Sequence, residues 1–376
     1  MSKDLIKKIQ SMRSSKVIVF FTGDRQLAGA RIAEDAVRPL YDHLLSVGKN
    51  AKIDLVLYSR GGDVSVPWRI VSMFREFCDE LAILVPYKSH SAATLICLGA
   101  DKIIMGKKAE LSPIDPTLVR MSAGETAGPP QEISVEDVNS YISFVRERAN
   151  ITDQTALAQV ISILANNLTP LTLGSVNRQN SHIRLVARKL LTSRKEKLEE
   201  AKINSIIETL TEKIYSHGHA IGRKEAQEIG LPVEMPKDEL EAALWDLYLE
   251  YEKTLKLDEP IDPLVNLSGK EEDHLTNVPI AIMESENKLH VFNTQIDLKR
   301  RRQVPPSPQI NINVGLSLPP NIRPEEIPQE AQRILQQMIN QIAQDIPRIV
   351  QQEITRQSPE IGIDVRVYGG KWKEGS

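Results

Sequence analysis

Short apolar runs separated by amphipathic stretches organise the first hundred residues. Residues 16–21 and 53–58 are brief and largely apolar, and 82–86 is continuously apolar and closed by Pro86, which is the pattern of strands covered on both faces. A fourth run, 102–105, follows Gly99. Between these runs lie helix patterns over about 31–47 and 66–78, and a compact apolar segment starting at Ala92. This alternation builds a largely parallel sheet with covering helices, on which ligands bind at the carboxyl ends of the strands. Two polar stretches fall there: Ser59-Arg60-Gly61-Gly62-Asp63 and Ser89-His90-Ser91.

Further along, Ser134 reads as the N-cap of a helix to about Ala149, and 152–167 reads as a second helix. Residues 175–216 are predicted to hold one long, charged helix with Ile203, Ile206, Ile207, Leu210 and Ile214 on one face. A helix over 238–256 and a polar linker over 268–274 follow, then a hairpin of 278–283 and 288–292 around Glu286-Asn287. The four cations of 299–302 beside Pro305, Pro306 and Pro308 read as a solvated linker, with anionic lipid or nucleic-acid contact as the alternative. Alternating stretches at 310–314 and 361–367 flank a helix in which Leu335, Ile339, Ile342, Ile346 and Ile349 form a coiled-coil-like seam. Pro347 is expected to bend or interrupt it. Residues from about 305 to 370 are expected to form a separate unit, either self-associating or bound to a partner, or else an intramolecular mini-domain.

Composition narrows the class. The chain has 376 residues, 26% charged and 41% hydrophobic, which suits one large globular domain with smaller appended pieces. A formal net charge of -3 gives no reason to expect a nucleic-acid partner. Cys78 and Cys97 both fall in apolar helical patterns without metal-ligand spacing, so a reducing, cytoplasmic location is expected. No apolar run approaches the roughly 18 residues of a spanning helix, and the first 15 residues lack a signal-peptide core. Membrane association is expected only through a partner.

Ser91 stands where a strand turns into a helix. Its hydroxyl would lie at the positive end of the helix dipole beside unpaired N–H groups, where an oxyanion is stabilised; the alternative is a simple N-cap. Gly61-Gly62 likewise either makes a tight turn or presents a bare N–H at close range. Side by side, the two strand ends assemble an acyl-transfer site.

Leu57-Tyr58-Ser59-Arg60-Gly61-Gly62-Asp63 resembles the oxyanion loop of the ClpP/crotonase superfold. Ser89-His90-Ser91-Ala92-Ala93-Thr94, followed by Gly99-Ala100-Asp101-Lys102-Ile103-Ile104-Met105, resembles its nucleophile helix and next strand. With segments 170–178 and 221–231, the likeness is closest to the serine dehydrogenase proteinase family, distant relatives of ClpP and signal peptide peptidase A. The resemblance implies a ClpP/crotonase-like α/β core of parallel sheet and covering helices at 16–235. It leaves an N-terminal segment at 1–15, a helix and linker at 236–275, and a small C-terminal α+β extension at 276–376. It implies a cofactor-independent, homo-oligomeric serine peptidase acting on peptides or proteins. The ten-residue step from Ser91 to Asp101 matches Ser91, rather than Ser89, to the family's nucleophile. The implied oxyanion donors are the N–H groups of Gly61 and Ala92.

The chain departs from ClpP at Arg60, where proline is usual, and at Ile114, where ClpP carries its histidine. The family order Ser, Asp, His implies Asp115 and His217 instead, and triads are defined by geometry rather than chain order. By their surroundings alone, His217 is equally a turn residue and Asp115 equally a turn carboxylate. His43 is placed on the polar side of an early helix, and His274 and His290 beyond the core. His217 and His219 as a metal pair lack a third ligand cluster, so no metal is expected. A lysine base, Lys88, Lys107 or Lys108, is the alternative for the peptidase. A non-catalytic scaffold and an acyl-CoA enzyme of crotonase type are the alternative functions.

Overall fold

Strands that are apolar on both faces are satisfied only between two layers of helices, and that is where they lie. The computed structural model describes residues 2–114, 117–120, 131–214, 216, 218–305 and 328–375. They fall into two units: Met1–Pro260 with Asn277–Thr294 and Gly369–Ser376, and Ile261–Thr276 with Gln295–Tyr368.

The first unit begins with helix α1 (Ser2–Arg13) and strand β1 (Lys16–Thr22). Then come α2 (Val37–Val47), β2 (Asn50–Tyr58), α3 (Val66–Arg75) and β3 (Cys78–Val85). A two-residue strand β4 (Lys88–Ser89) precedes α4 (Ala92–Leu98), β5 (Lys102–Met105) and another short strand, β6 (Glu110–Leu111). A pair of strands, β7 (Thr117–Arg120) and β8 (Gln131–Ser134), leads into α5 (Val135–Ser143), α6 (Gln154–Asn167) and α7 (Pro170–Thr192). The unit continues through α8 (Glu200–Glu208), β9 (Ile221–Gly222), α9 (Arg223–Ile229), β10 (Val233–Glu234) and α10 (Asp238–Leu255). Strands β11 (Glu272–Ser285), β12 (Lys288–Arg302) and β13 (Glu360–Glu374) enter it through the two late segments named above.

The main sheet has the order β10-β5-β3-β2-β1-β11-β12-β13. Its first five strands are parallel and β11 joins β1 antiparallel, a mixed α/β sheet consistent with a ClpP-like fold. Alternate strand residues face opposite layers. Phe20, Leu55, Leu57, Ile83 and Met105 share a core with residues of α2, α3, α4, α7 and α8. Phe21, Val56, Tyr58, Leu84 and Ile104 pack against Ile6 and Ile9 of α1 and Leu244, Leu247 and Tyr248 of α10. Among the described residues no single helix is long and apolar enough to cross a membrane.

Several elements differ from the sequence reading for tertiary reasons. The opening segment is a helix whose Arg13 reaches the buried Asp54 through Nε at 2.7 Å and Nη2 at 3.3 Å, while Ser15 Oγ donates to the same carboxylate at 2.8 Å. The early helix starts at Val37 rather than 31, because Ile32 is drawn out to bridge Gly62. Cys78 opens β3 and is not helical. The single helix expected over 175–216 breaks after Thr192, where Asp101 accepts the Lys195 N–H at 2.6 Å and the Leu81 N–H at 2.8 Å and pairs with Arg75. Burial opposes ionisation of Asp101, yet Arg75 and those two N–H groups hold its carboxyl below the usual range.

His43 does not face solvent, and His290 does not lie beyond the core. His43 is fully buried, its Nδ1 2.8 Å from Ser285 Oγ and its Nε2 3.1 Å from Nδ1 of the buried His290. Burial, with His290 and Lys288 adding to it, pushes His43 down to about 3, and burial lowers His290 as well. Both depressed groups bind protons more readily in the unfolded chain, so their contribution is complete above about pH 6.5 and is lost as pH falls, for His43 down to about 3. Urea unfolding at stepped pH should show stability falling by about 1.4 kcal/mol per pH unit between pH 6 and 4 from His43 alone. A His43→Gln variant should show a shallower slope; an equal slope would contradict this.

The residues of the expected C-terminal extension are shared between the two units, Asn277–Thr294 and Gly369–Ser376 in the first and Gln295–Tyr368 in the second. Trp372 packs on Phe20 and Phe292 with ring centroids at 6.5 and 5.1 Å, and donates to Asp35 at 3.0 Å, all within the first unit. In the second unit the cations of 299–302 belong to β12 rather than to a linker. There Arg302 grips Glu271 with two bonds of 2.9 and 2.7 Å, and Arg300 pairs with Glu360 and donates to the carbonyls of Leu267 and Lys270. Helix α11 (Gln329–Gln357) runs unbroken through Pro347. The strand expected at 310–314 lies outside the described residues.

Candidate active site

Ser91 is held by backbone geometry rather than by its own side chain. It has φ 51° and ψ -113°, a conformation costly for a residue with a Cβ, at the turn from β4 into α4. Its side chain makes no capping bond, which disposes of the simple N-cap, and Oγ has no hydrogen-bond partner among the described residues. The residue is half-buried and so within reach of a ligand. Its N–H donates to Ser112 Oγ at 2.8 Å. The Ser112 N–H donates in turn to Thr94 Oγ1 at 3.1 Å, and Thr94 Oγ1 donates to the Ser89 carbonyl at 2.7 Å. Ser112 and Thr94 carry no spacing signal, and the sequence reading passed over them.

The glycine loop after β2 lies directly against this serine. A Cβ on Gly61 would stand 2.7 Å from Ser91 Cβ and 2.9 Å from the His90 carbonyl, and Gly61 has φ 102°. A Cβ on Gly62 would meet the Ile32 carbonyl at 2.1 Å. Both positions therefore exclude a side chain through contact. Ile32 locks the loop: its N–H donates to Gly61 O at 2.9 Å, and its carbonyl accepts from the Asp63 N–H at 2.8 Å. The Gly61 N–H donates at 3.0 Å to Ser59 Oγ, which itself accepts from Thr22 Oγ1 at 2.7 Å. Gly61 therefore does not offer the free N–H expected of it. The N–H groups of Gly62 and Ala92 have no acceptor among the described residues.

Charged groups next to the serine are committed elsewhere. Lys88 Nζ bonds Asp24 at 2.9 Å, and Asp24 also accepts from Tyr58 at 2.8 Å. Lys107 pairs with Asp238 and Glu241 at 3.6 and 3.5 Å, and Lys108 lies 5.0 Å over the Tyr87 ring. His90 Nε2 stands 3.2 Å from Glu110 Oε1, off the line of a hydrogen bond. Burial lowers the His90 imidazole against the pull of Glu110, with Arg60 and Lys88 adding to the lowering. His219 Nε2 is taken by Glu225 at 2.8 Å. No group of three or more His, Cys, Asp or Glu suited to a metal occurs among the described residues. A pocket of about 660 Å³, lined by Lys107, Lys108, Asp238 and Glu241 as well as Pro86 and Trp245, does not include Ser91.

Asp115 and His217 lie outside the described residues, but the chain on either side of them is placed. Strand β6 pairs with β4 on one side and β9 on the other, with Leu111 opposite both Ser89 and Ile221. Past β6, the N–H of the buried Ile114 donates to the Leu210 carbonyl at 3.0 Å.

Residues 2–168 match the family model of ClpP-like SDH-type serine proteinases. The match takes in Ser91 and position 115 and ends before His217. Over 200 residues, 53% of this chain and 59% of the relative, the chain is 30% identical to the uncharacterized protein MJ0137 of Methanocaldococcus jannaschii. It is 22% identical over 181 residues to the uncharacterized protein MJ1495 of the same organism, 48% of this chain and 51% of the relative. The alignments thus span little more than half the length of these curated relatives.

Proposed function

We propose that the protein is a serine peptidase in which Ser91 is the nucleophile, His217 the general base and Asp115 the group that orients it. Ser91 Oγ attacks the scissile carbonyl carbon while His217 takes its proton. The oxyanion is met by the N–H groups of Ala92 and Gly62, the latter replacing Gly61, whose N–H is spent on Ser59. Collapse expels the amine, which receives the proton from His217, and water then releases the acyl group from Ser91.

The observation that carries this reading is the small sheet β9-β6-β4. It gathers three chain segments: Ser91 is two residues past Ser89, Asp115 four past Leu111, and His217 four before Ile221. Adjacent strands are about 4.8 Å apart, and four residues reach up to roughly 13 Å, so three side chains anchored this way have the span to meet. The bond from Ile114 to Leu210 supports the same convergence from the other end. The lysine alternative is disfavoured by the commitment of Lys88 to Asp24 and of Lys107 to Asp238 and Glu241.

The test is labelling by a fluorophosphonate, which transfers its phosphonyl group to the oxygen of an activated serine with loss of fluoride. Wild-type protein should label and Ser91→Ala should not. Absence of labelling in wild-type protein would favour a scaffold or an acyl-CoA enzyme, and labelling retained in Ser91→Ala would refute the nucleophile.

A further inference from the structure

Helix α11 of the second unit is 29 residues long, about 43 Å at 1.5 Å per residue, and none of its described residues is buried. Its apolar side chains are nevertheless ordered. Leu335, Ile339, Ile342, Ile346 and Ile349 follow one another at intervals of four, three, four and three. This is the repeat of a helix that meets another helix along a seam, with Ile339 and Ile346 at the a positions and Leu335, Ile342 and Ile349 at d. Ile342 and Ile349 are 42% and 56% exposed, and so is Met338 beside them, at 56%. A lone helix does not sustain such a face in water.

We infer that α11 associates with α11 of further copies of this chain in a bundle of three or four helices. Charge argues against a membrane as the occupant. The helix holds Glu330, Asp345 and Glu353 against Arg333, Arg348 and Arg356, a net charge of zero, where a surface helix drawn to anionic lipid carries a cationic face. Two of those arginines are already paired within the helix, Arg348 with Asp345 at 3.6 Å and Arg356 with Glu353 at 3.1 Å. The positions flanking the seam argue for like partners. Where a two-stranded coiled coil chooses its partner by charge pairs at e and g, these positions hold Gln336, Met338, Val350 and Gln352, with Asp345 as their one charged residue. A face widened by Met338 and Val350 has more apolar surface than one neighbour covers, and isoleucine at both a and d favours three or four strands over two. Pro347 falls at b, on the outer side, and the helix continues through it.

The test uses the full chain, whose own Cys78 and Cys97 are both buried. In Ile342→Cys, exposure to oxidised glutathione should join copies through the new thiols, giving a dimer band on non-reducing gels. Gln337→Cys, on the outer face, should give none. Light scattering should find a trimer or tetramer for wild-type protein and a lower mass for Ile339→Asp/Ile346→Asp. Equal crosslinking at 337 and 342, no crosslinking at either, or an unchanged mass in the double variant would overturn the inference. Fluorophosphonate labelling is read separately and does not bear on it.

Discussion

Replacing Ser91 with alanine should remove essentially all peptide hydrolysis, a loss on the order of 10⁶ in kcat, and His217→Ala should lose about as much. The two losses should not add, because a nucleophile without its base and a base without its nucleophile fail at the same step. The double variant is therefore expected to match either single variant, retaining the residual rate that substrate binding and the oxyanion donors supply. Asp115→Asn should lose about 10⁴ in kcat, since it removes control of the histidine tautomer while leaving the hydroxyl and imidazole in place. Single-turnover kinetics on a peptide ester would measure all four. Full activity in His217→Ala would remove that residue from the mechanism, and so would losses that multiply in the double variant.

The second large effect is expected at Gly62. A methyl group there would stand 2.1 Å from the Ile32 carbonyl and 2.6 Å from the Ile32 nitrogen, both backbone atoms that no side-chain rotation can move. Gly62→Ala must therefore push the loop away from Ile32 and displace its N–H. Loss of one oxyanion donor costs about 10²–10³ in kcat. Gly174→Ala, in a helix with nothing within 4 Å of the added carbon, serves as the control and should leave kcat unchanged. Comparing kcat and KM separates the two explanations, because a donor that acts in the transition state moves kcat and leaves KM nearly constant. Wild-type kcat in Gly62→Ala would place the oxyanion elsewhere.

The parallel core was legible in the sequence because each of its strands is buried on both faces, which leaves an apolar run that needs no partner to be noticed. The place of Ser91 at a strand-to-helix turn was legible for a related reason: a short apolar helix directly after such a strand has few residues in which to turn, so a polar residue at the junction is exposed to view. The hairpin around Glu286-Asn287 and the seam of α11 are likewise local patterns.

Other features depend on contacts between residues far apart in the chain, and local pattern does not encode these. The break after Thr192 contains neither glycine nor proline; Asp101, some ninety residues earlier, ends the helix by accepting the Lys195 N–H. His43 looks like one polar position among others on an amphipathic helix, and only Ser285 and His290 make its burial possible by bonding both ring nitrogens. The sequence marks Gly61 and Gly62 as equivalent. Ser59 Oγ distinguishes them by occupying one N–H, and Ile32 pins the loop by bonding the Gly61 carbonyl and the Asp63 N–H. Burial in a layer follows from a residue's own character, whereas a hydrogen bond needs two groups in register, and across a hundred residues only the folded chain sets that register.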